Sequence, residues 1–310
     1  MFYNRGMVKM SKIILHYQSV DRDDLDPAVT EKLDEMEDEE ILNYLKSHFK
    51  DVEIEVPADT KELKLYSHDI FAFDLEQLTQ LPNLTGVDLG DNHIMEIDLS
   101  TLPRCPDLEY VSLHNNDLSN LDLSPLASCP NLQELNINKN PYKSIDLSPL
   151  ASCLKLEYFD ICGTPLKEID LSIFKDCENF KILLLSANDL KSIDLSPLAN
   201  CVNFQDLWLD RNCLTEINLA PLSFCTKFEE LFLEDNLMQQ IDLTPLAKCT
   251  NLKDLRLNDN PVKSLDLRPL SACPNASVKV NKVKFKLPAG GIPKLEIVER
   301  SSKDFLRERD

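Results

Sequence analysis

The protein has 310 residues, of which 28% are charged, and its formal net charge at pH 7 is -20. Such a charge repels phosphate backbones and anionic lipid surfaces, so nucleic acid and membrane surfaces are not expected as partners. No stretch of the sequence approaches the roughly 20 apolar residues that a membrane-spanning helix requires. A basic or amphipathic protein fits this charge better as a partner.

Residues 1–59 are predicted to form an N-terminal cap. Alternating apolar residues predict one strand over Lys12 to Tyr17 and another over Val52 to Val56, while Asp26 and Pro27 predict the start of an acidic helix that ends near Phe49. The opening segment has only a three-residue apolar core and no cleavage site, which predicts a cytoplasmic protein without a secretory leader.

A 24-residue unit then repeats eight times without a gap, from Asp74 to Leu265. It is clearest at residues 122–145, DLSPLASCPNLQELNINKNPYKSI, which DLSPLASCLKLEYFDICGTPLKEI follows at once. A period of this length indicates a solenoid, because one unit is too small to bury its apolar face and must stack on its neighbours.

Within the unit, Leu132, Leu135, Ile137 and Asn140 follow the spacing L-x-x-L-x-L-x-x-N. The spacing recurs at residues 108–116, 204–212, 228–236 and 252–260. This motif resembles the leucine-rich repeat family. The resemblance implies an α/β fold: a right-handed β-α solenoid, or horseshoe, with a parallel concave sheet, short helical turns on the convex side and a cap at each end. We place the solenoid at residues 60–273.

The resemblance also implies that the Asn of each unit closes a turn by hydrogen-bonding buried backbone. Thr164 and His68 replace it in two units. Because a hydroxyl satisfies fewer backbone groups than an amide, we expect looser turns there.

The outer half of the unit, I-D-L-S-P-L-x-x-C, predicts one helical turn on the convex side. Ser148 is predicted as its N-cap and Pro149 as its first residue. The aspartate of this motif forms a column broken only by Asn218: Asp74, Asp98, Asp122, Asp146, Asp170, Asp194, Asp242 and Asp266. We interpret these as caps of their own turns; calcium binding is the alternative, although one ligand per unit is few for that ion.

Eight of the ten cysteines also recur once per unit, in one column: Cys105, Cys129, Cys153, Cys177, Cys201, Cys225, Cys249 and Cys273. Leu81 occupies the same place in an earlier unit, which indicates a core position where the thiol fills space. Without a secretory leader we expect reduced thiols, although the spacing between neighbouring units would permit disulfides.

After the repeats, residues 274–310 are predicted to form a C-terminal cap. Two strand-like runs lie on either side of Gly290 and Gly291, and a last helical turn is predicted from Ser301.

The residue between the two strand leucines of each unit is predicted to face the concave surface. Leu184, Trp208 and Phe232 occupy this place in adjacent units and predict an apolar strip surrounded by charge, which is the usual form of a protein-binding hot spot. The predicted partner-binding residues are Tyr158, Asp160, Ile182, Leu184, Asp206, Trp208, Asp210, Glu230, Phe232, Glu234 and Arg256. A second copy of the chain, or a terminal tail folded over the strip, are alternative occupants.

The sequence therefore predicts a protein-interaction module, a cytoplasmic scaffold or regulatory subunit, with no enzyme activity, metal or cofactor. An enzyme is the first alternative, because His114, Asp160 and Cys162 fall on the concave face in nearby units. Its weakness is that His114 and Cys162 are two units apart, nearly 10 Å at the strand spacing of a sheet, too far for direct proton transfer. A surface adhesin is the second alternative.

Overall fold

A computed structural model describes residues 12–19, 50–292 and 294–299 of the protein. The strands of this part run, in chain order, β1 Lys12–Ser19, β2 Lys50–Pro57, β3 Glu62–Lys64, β4 Ile70–Phe73, β5 Gly86–Asp88, β6 Tyr110–Ser112, β7 Glu134–Asn136, β8 Tyr158–Asp160, β9 Ile182–Leu184, β10 Asp206–Trp208, β11 Glu230–Phe232, β12 Asp254–Arg256, β13 Ser264–Asp266, β14 Ser277–Asn281, β15 Lys284–Lys286 and β16 Lys294–Val298. No helix within these ranges is long and apolar enough to cross a membrane.

Eleven strands form one parallel sheet, in the spatial order β16-β14-β12-β11-β10-β9-β8-β7-β6-β5-β3. Each repeat contributes three residues, and the strands pair in register from one repeat to the next, so that Trp208 lies between Leu184 and Phe232. The flanking Leu207 and Leu209 are fully buried. The predicted assignment of the strand leucines to the core is therefore confirmed.

The convex side carries one short 3-10 helix per repeat. These turns span Leu75–Gln80, Leu102–Arg104, Ser124–Ser128, Ser148–Ser152, Ser172–Asp176, Ser196–Asn200, Ala220–Phe224, Thr244–Lys248 and Arg268–Ala272. The predicted single turn is confirmed. The short stretch between two core leucines leaves no room for a longer helix.

The prediction of Ser148 as an N-cap is wrong. Leu147 holds the cap position, and Ser148 is the first residue of the turn; its backbone N–H donates to Asp146 Oδ1 at 2.9 Å. This hydrogen bond lowers the pKa of the Asp146 carboxyl. The predicted capping role of the aspartate column is confirmed by equivalent bonds in other repeats, and Asn218 does the same through its amide oxygen.

The asparagine column joins each repeat to the one before it. Asn116 Nδ2 donates to the carbonyl of Leu113 in its own repeat at 3.1 Å and to that of Leu89 in the preceding repeat at 2.9 Å. Its Oδ1 accepts the N–H of Ile94, also in the preceding repeat, at 2.9 Å. One buried amide thus satisfies backbone groups on both sides of a repeat junction.

Thr164 interrupts this column. Its hydroxyl donates to Asn188 Oδ1 at 2.5 Å, and the hydroxyl oxygen lies 3.3 Å from the Ile161 carbonyl. The hydroxyl makes no bond to the preceding repeat, and it engages the Asn188 oxygen that elsewhere in the column accepts a backbone N–H. The looser turn expected at Thr164 is therefore observed as the loss of hydrogen bonds between neighbouring repeats.

The predicted strands of the N-terminal cap are confirmed as β1 and β2. β1 pairs antiparallel with β2 and also with β4, forming a small sheet in the order β2-β1-β4. The acidic helix predicted from Asp26 to Phe49 lies outside the described residues, as does the turn predicted from Ser301.

At the other end, β14 and β16 extend the main sheet in parallel, and β13 pairs with β15. These pairings match the strand-like runs predicted around Gly290 and Gly291. The domain boundaries after Asp59 and after Cys273 stay predictions.

Candidate functional site

Leu184, Trp208 and Phe232 form a contiguous row across β9, β10 and β11, which we call the concave strip. The rings of Trp208 and Phe232 are stacked, with centroids 4.8 Å apart and planes 21° from parallel. Their separation equals the spacing of adjacent strands, so the parallel register of the sheet brings the two rings into contact.

Arg256 continues the row on β12 and covers the outer face of the stack. Its guanidinium carbon lies 3.8 Å from the centre of the Phe232 ring, a cation-π contact. The same group donates to Asp254 Oδ2 from Nε at 3.1 Å and from Nη2 at 2.9 Å, and its Nη1 lies 3.7 Å from Glu234 Oε1. Arg256 is therefore held in place by its own neighbours.

The strip is more buried than the sequence predicts. Phe232 is 6% exposed and Leu184 8% exposed, while Trp208 is half-buried and donates from Nε1 to Glu230 Oε2 at 3.3 Å. The exposure of the strip is low because each large side chain packs against the one on the next strand.

Carboxylates flank the strip in two rows, which we call the acidic rows. Asp206, Glu230 and Asp254 form the row two residues before the strip, and Asp210 and Glu234 form the row two residues after it. Asp254 was missed by sequence reasoning, although its place in the column with Asp206 and Glu230 was a usable signal.

Burial disfavours the charged form of two of these carboxylates. It raises the pKa of Asp206 to about 6, with repulsion from Glu230 and Glu229 adding to the shift and Lys253 opposing it. Burial likewise raises the pKa of Glu234. Both groups therefore lie in surroundings where a nearby positive charge would be favourable.

Beside the strip is a depression of ≈ 660 Å³. Its lining residues are Asn138, Asp160, Cys162, Leu184, Ser186, Trp208, Asp210, Arg211, Glu230, Phe232, Glu234 and Arg256. Eight of the eleven predicted partner-binding residues are among them. Of the others, Ile182 and Asp206 lie in the same register row as Glu230, and Tyr158 borders Asp160.

The end of the depression at β8 is occupied by a side-chain network. Asp160 is 5% exposed, and its Oδ2 accepts hydrogen bonds from Tyr158 Oη at 3.2 Å and from Asn138 Nδ2 at 2.5 Å. Tyr158 and Asp160 are therefore engaged with each other, and the open part of the surface begins at Leu184.

The structure does not bring the alternative catalytic residues together. His114 hydrogen-bonds to Ser112 Oγ at 2.7 Å and to Asp91 Oδ2 at 3.3 Å, two strands away from Cys162. Cys162 Sγ accepts the Ser186 N–H at 3.2 Å, and burial strongly raises the pKa of its thiol. Cys162 and His114 thus form no nucleophile–base pair. Within the described ranges, no three acidic, histidine or cysteine side chains are grouped so that they could hold a metal ion.

The cysteine column is buried core, as predicted, and all of its members are thiols without a disulfide. Burial raises the pKa of Cys153 to about 12, which keeps the thiol protonated and unreactive. Sequence reasoning missed that the thiol also acts as a weak donor: Cys153 Sγ lies 3.3 Å from the Leu126 carbonyl, and Cys201 Sγ lies 3.3 Å from that of Phe174.

Two family models match this chain. The leucine rich repeat model matches residues 68–142, and the model of the BspA type leucine rich repeat region, which has six copies, matches residues 164–277. The chain belongs to the leucine-rich repeat family. The matched residues include β5 to β7 and β9 to β12, and therefore the whole concave strip. A search of curated protein sequences found no match.

Solved structures share the fold at low sequence identity. An internalin, inlF, from Listeria monocytogenes is 23% identical with a TM-score of 0.55, over 69% of this chain and 66% of that one. The functional domain of InlJ from the same organism, which includes a cysteine ladder, is 21% identical with a TM-score of 0.53, over 74% and 51%.

A plant structure is also similar. The leucine-rich repeat ectodomain of the Arabidopsis thaliana receptor kinase GASSHO1/SCHENGEN3, in complex with Casparian strip integrity factor 2, is 17% identical with a TM-score of 0.61, over 72% of this chain and 28% of that one. The chain thus spans less than two-thirds of the length of each of these three structures.

Proposed function

We propose that this leucine-rich repeat chain is a protein-interaction module that binds a partner protein on its concave sheet. The observation that carries the proposal is the concave strip itself: adjacent strands present stacked apolar side chains between two acidic rows, beside an open depression. Aromatic side chains grouped in this way are the usual centre of a protein-binding surface. A role as a cytoplasmic scaffold or regulatory subunit belongs to the same proposal.

The comparisons support this kind of function. The plant receptor ectodomain with the same fold was solved in complex with Casparian strip integrity factor 2. The chain belongs to a family whose members act as protein-interaction modules.

The acidic rows favour a basic or amphipathic partner. A surface that holds Asp206, Asp210, Glu230 and Glu234 around an apolar strip attracts positive charge and accepts apolar side chains. The net charge of -20 also attracts a positively charged partner at long range.

Alanine substitutions of Trp208 and Phe232 test the proposal. Each should weaken partner binding by about 2 kcal/mol, because buried aromatic side chains at the centre of an interface carry much of the affinity. The wild-type chain and the variants are immobilised, and capture of the same partner from an extract is compared before its affinity is measured by titration. Because Phe232 packs on Trp208 and Arg256, the fold of each variant is checked by thermal melting.

The matched control is Phe224→Ala. Phe224 is an aromatic residue that is 59% exposed on the convex turn Ala220–Phe224, so its loss removes apolar surface away from the strip. Partner binding that survives the Trp208 and Phe232 substitutions, and fails in Phe224→Ala, would contradict the proposal. If sedimentation shows a dimer that dissociates in Trp208→Ala, the occupant of the strip is a second copy of the chain.

A further inference from the structure

The concave face has buried acceptor oxygens that lack donors. Among the described residues, five buried side-chain polar atoms have no hydrogen-bond partner: Asn138 Oδ1, Tyr142 Oη, Asp206 Oδ1, Glu234 Oε2 and Asn258 Oδ1. Tyr142 belongs to the core, and the other four are amide or carboxylate oxygens on the concave side. Because an unpaired buried oxygen costs free energy, this surface favours a ligand that is rich in donors.

Asp210 and Glu234 both line the depression. They occupy the same position in adjacent repeats, and repulsion from Asp210 adds to the effect of burial in raising the pKa of Glu234. Glu234 Oε2 has no donor, and the nearest approach of Arg256 to this carboxylate is the 3.7 Å between Nη1 and Oε1. The Arg211 side chain reaches Asp210 only at 4.0 Å and is 68% exposed. These two carboxylates are therefore only partly neutralised by the chain itself.

Arg256 shows how this face holds a guanidinium group. Its plane covers the ring of Phe232, and its edge donates to a carboxylate of one acidic row while approaching a carboxylate of the other. Trp208 lies between the same two rows, flanked by Asp206 and Asp210, but its neighbours in the strip are Leu184 and Phe232. The place over Trp208 that corresponds to Arg256 over Phe232 is filled by the Phe232 ring. Asp210 and Glu234 each approach a different arginine, and among the described residues no arginine bridges the two carboxylates.

We propose that the partner inserts an arginine side chain beside Trp208, with its guanidinium between the carboxylates of Asp210 and Glu234. This inference rests on the proposed function and specifies the chemistry of the partner. The inserted group supplies donors to Glu234 Oε2 and neutralises two carboxylates that now repel each other. Its stem and flat faces contact the concave strip.

Arginine fits this site better than lysine. A guanidinium has five donors in one plane and can bond to two carboxylates at once, whereas an ammonium is a compact and strongly hydrated point charge. A guanidinium is also more weakly hydrated, so it loses less on entering a half-buried site lined by aromatic rings.

Short capped peptides test the inference without an identified partner. Acetylated and amidated tri-arginine, tri-lysine and tri-citrulline are titrated into the full chain at low ionic strength, and the emission of Trp208, the only tryptophan, reports occupancy. Tri-arginine should bind about tenfold more tightly than tri-lysine, since hydrogen bonds to charged groups contribute about 1.5–3 kcal/mol. Tri-citrulline, which is planar and neutral, should not change the emission.

Two variants and one matched control locate the effect. Glu234→Gln and Asp210→Asn should each weaken tri-arginine binding by about tenfold, because each leaves one carboxylate in place of two. Glu216→Gln removes the same charge from an exposed position outside the acidic rows and should leave the affinity nearly unchanged. Thermal melting confirms that each variant is folded.

Equal affinities for tri-arginine and tri-lysine would overturn the inference, since they would show attraction to net charge alone. The same conclusion follows if Glu234→Gln and Glu216→Gln change the affinity for tri-arginine by the same factor. Neither result bears on the proposed function, because a partner whose capture depends on Trp208 would still identify the concave strip as the binding surface.

Discussion

The residue before each turn asparagine, or before Thr164 in its place, adopts a left-handed backbone conformation. Its φ is positive at Asp91, Asn115, Lys139, Gly163, Ala187, Arg211, Asp235 and Asp259. A left-handed conformation costs a residue with a Cβ atom about 1–2 kcal/mol, although Asn and Asp offset part of this through local hydrogen bonds. Only Gly163 escapes the cost, and Ala187, with φ 56°, has no polar side chain to offset it.

Ala187→Gly should therefore stabilise the protein by about 1 kcal/mol, because glycine adopts positive φ without steric cost. The free energy of unfolding is measured by urea denaturation. Ala151→Gly is the matched control: Ala151 lies on an exposed part of the turn Ser148–Ser152. At that position the change to glycine should lower the free energy of unfolding by about 0.5–1 kcal/mol, through backbone entropy alone. A loss of stability in both variants would show that the strain at Ala187 is already relieved.

The two kinds of turn residue differ in how well the sequence predicts them. The asparagine column could be recognised because only an amide supplies the donors and the acceptor that the turn requires. The left-handed column could not, because Lys139, Ala187 and Arg211 have no preference for this conformation and adopt it because the closed turn imposes it. The thiol donation of Cys153 was equally hidden, because it depends on the carbonyl of the preceding repeat.

At the scale of the element, the strands and convex turns could be predicted from the periodicity of the sequence, whereas the exposure of individual side chains could not. The alternation of buried and outward residues placed Trp208 on the concave face. The 6% exposure of Phe232 depends on Trp208 and Arg256, which lie one repeat away in either direction and contact it only after the sheet forms. The N-cap of the convex turns was misplaced by one residue, since Ser-Pro suits both the cap and the first turn.

Asp206, which belongs to an acidic row and lies on β10, predicts that the stability of the protein depends on pH. Because burial, then repulsion from Glu230 and Glu229, raises the pKa of Asp206 from 3.8 to about 6 in the folded state, the folded protein holds this proton more tightly than the unfolded chain does. The stabilising contribution is complete below pH 4 and is lost as the pH rises through 6. At pH 7, Asp206→Asn should be more stable than wild type by about 1–2 kcal/mol, allowing for the partial exposure of the side chain.

Urea midpoints between pH 4 and pH 8 measure this effect. The stability difference between Asp206→Asn and wild type should grow across that range and level off near pH 7. Glu216→Gln, which removes a charge from an exposed position, should show the same dependence of the urea midpoint on pH as wild type. A constant difference between Asp206→Asn and wild type would mean that Asp206 titrates alike in the folded and unfolded states.

For the whole molecule, the excess of 53 acidic over 33 basic residues predicts a stabilising effect of salt. Compaction brings like charges together, and raising the ionic strength from about 10 mM to about 150 mM shortens the screening length from about 30 Å to about 8 Å. The melting temperature should rise by several degrees across this range and change little beyond it. The control is sucrose at equal osmolality, which changes no screening. A fall in melting temperature on adding salt would show that local ion pairs such as Lys64–Glu62 outweigh the net repulsion.

The asparagine column gives the solenoid a direction. Asn116 completes the backbone hydrogen bonds of Leu89 and Ile94, and Asn260 reaches back to Leu233 and Met238 in the same way. A repeat is therefore finished only by the repeat that follows it in the chain. During synthesis, the turn of the most recently emerged repeat cannot close until the whole of the next repeat has emerged. The growing chain therefore always carries one incomplete repeat at its C-terminal end.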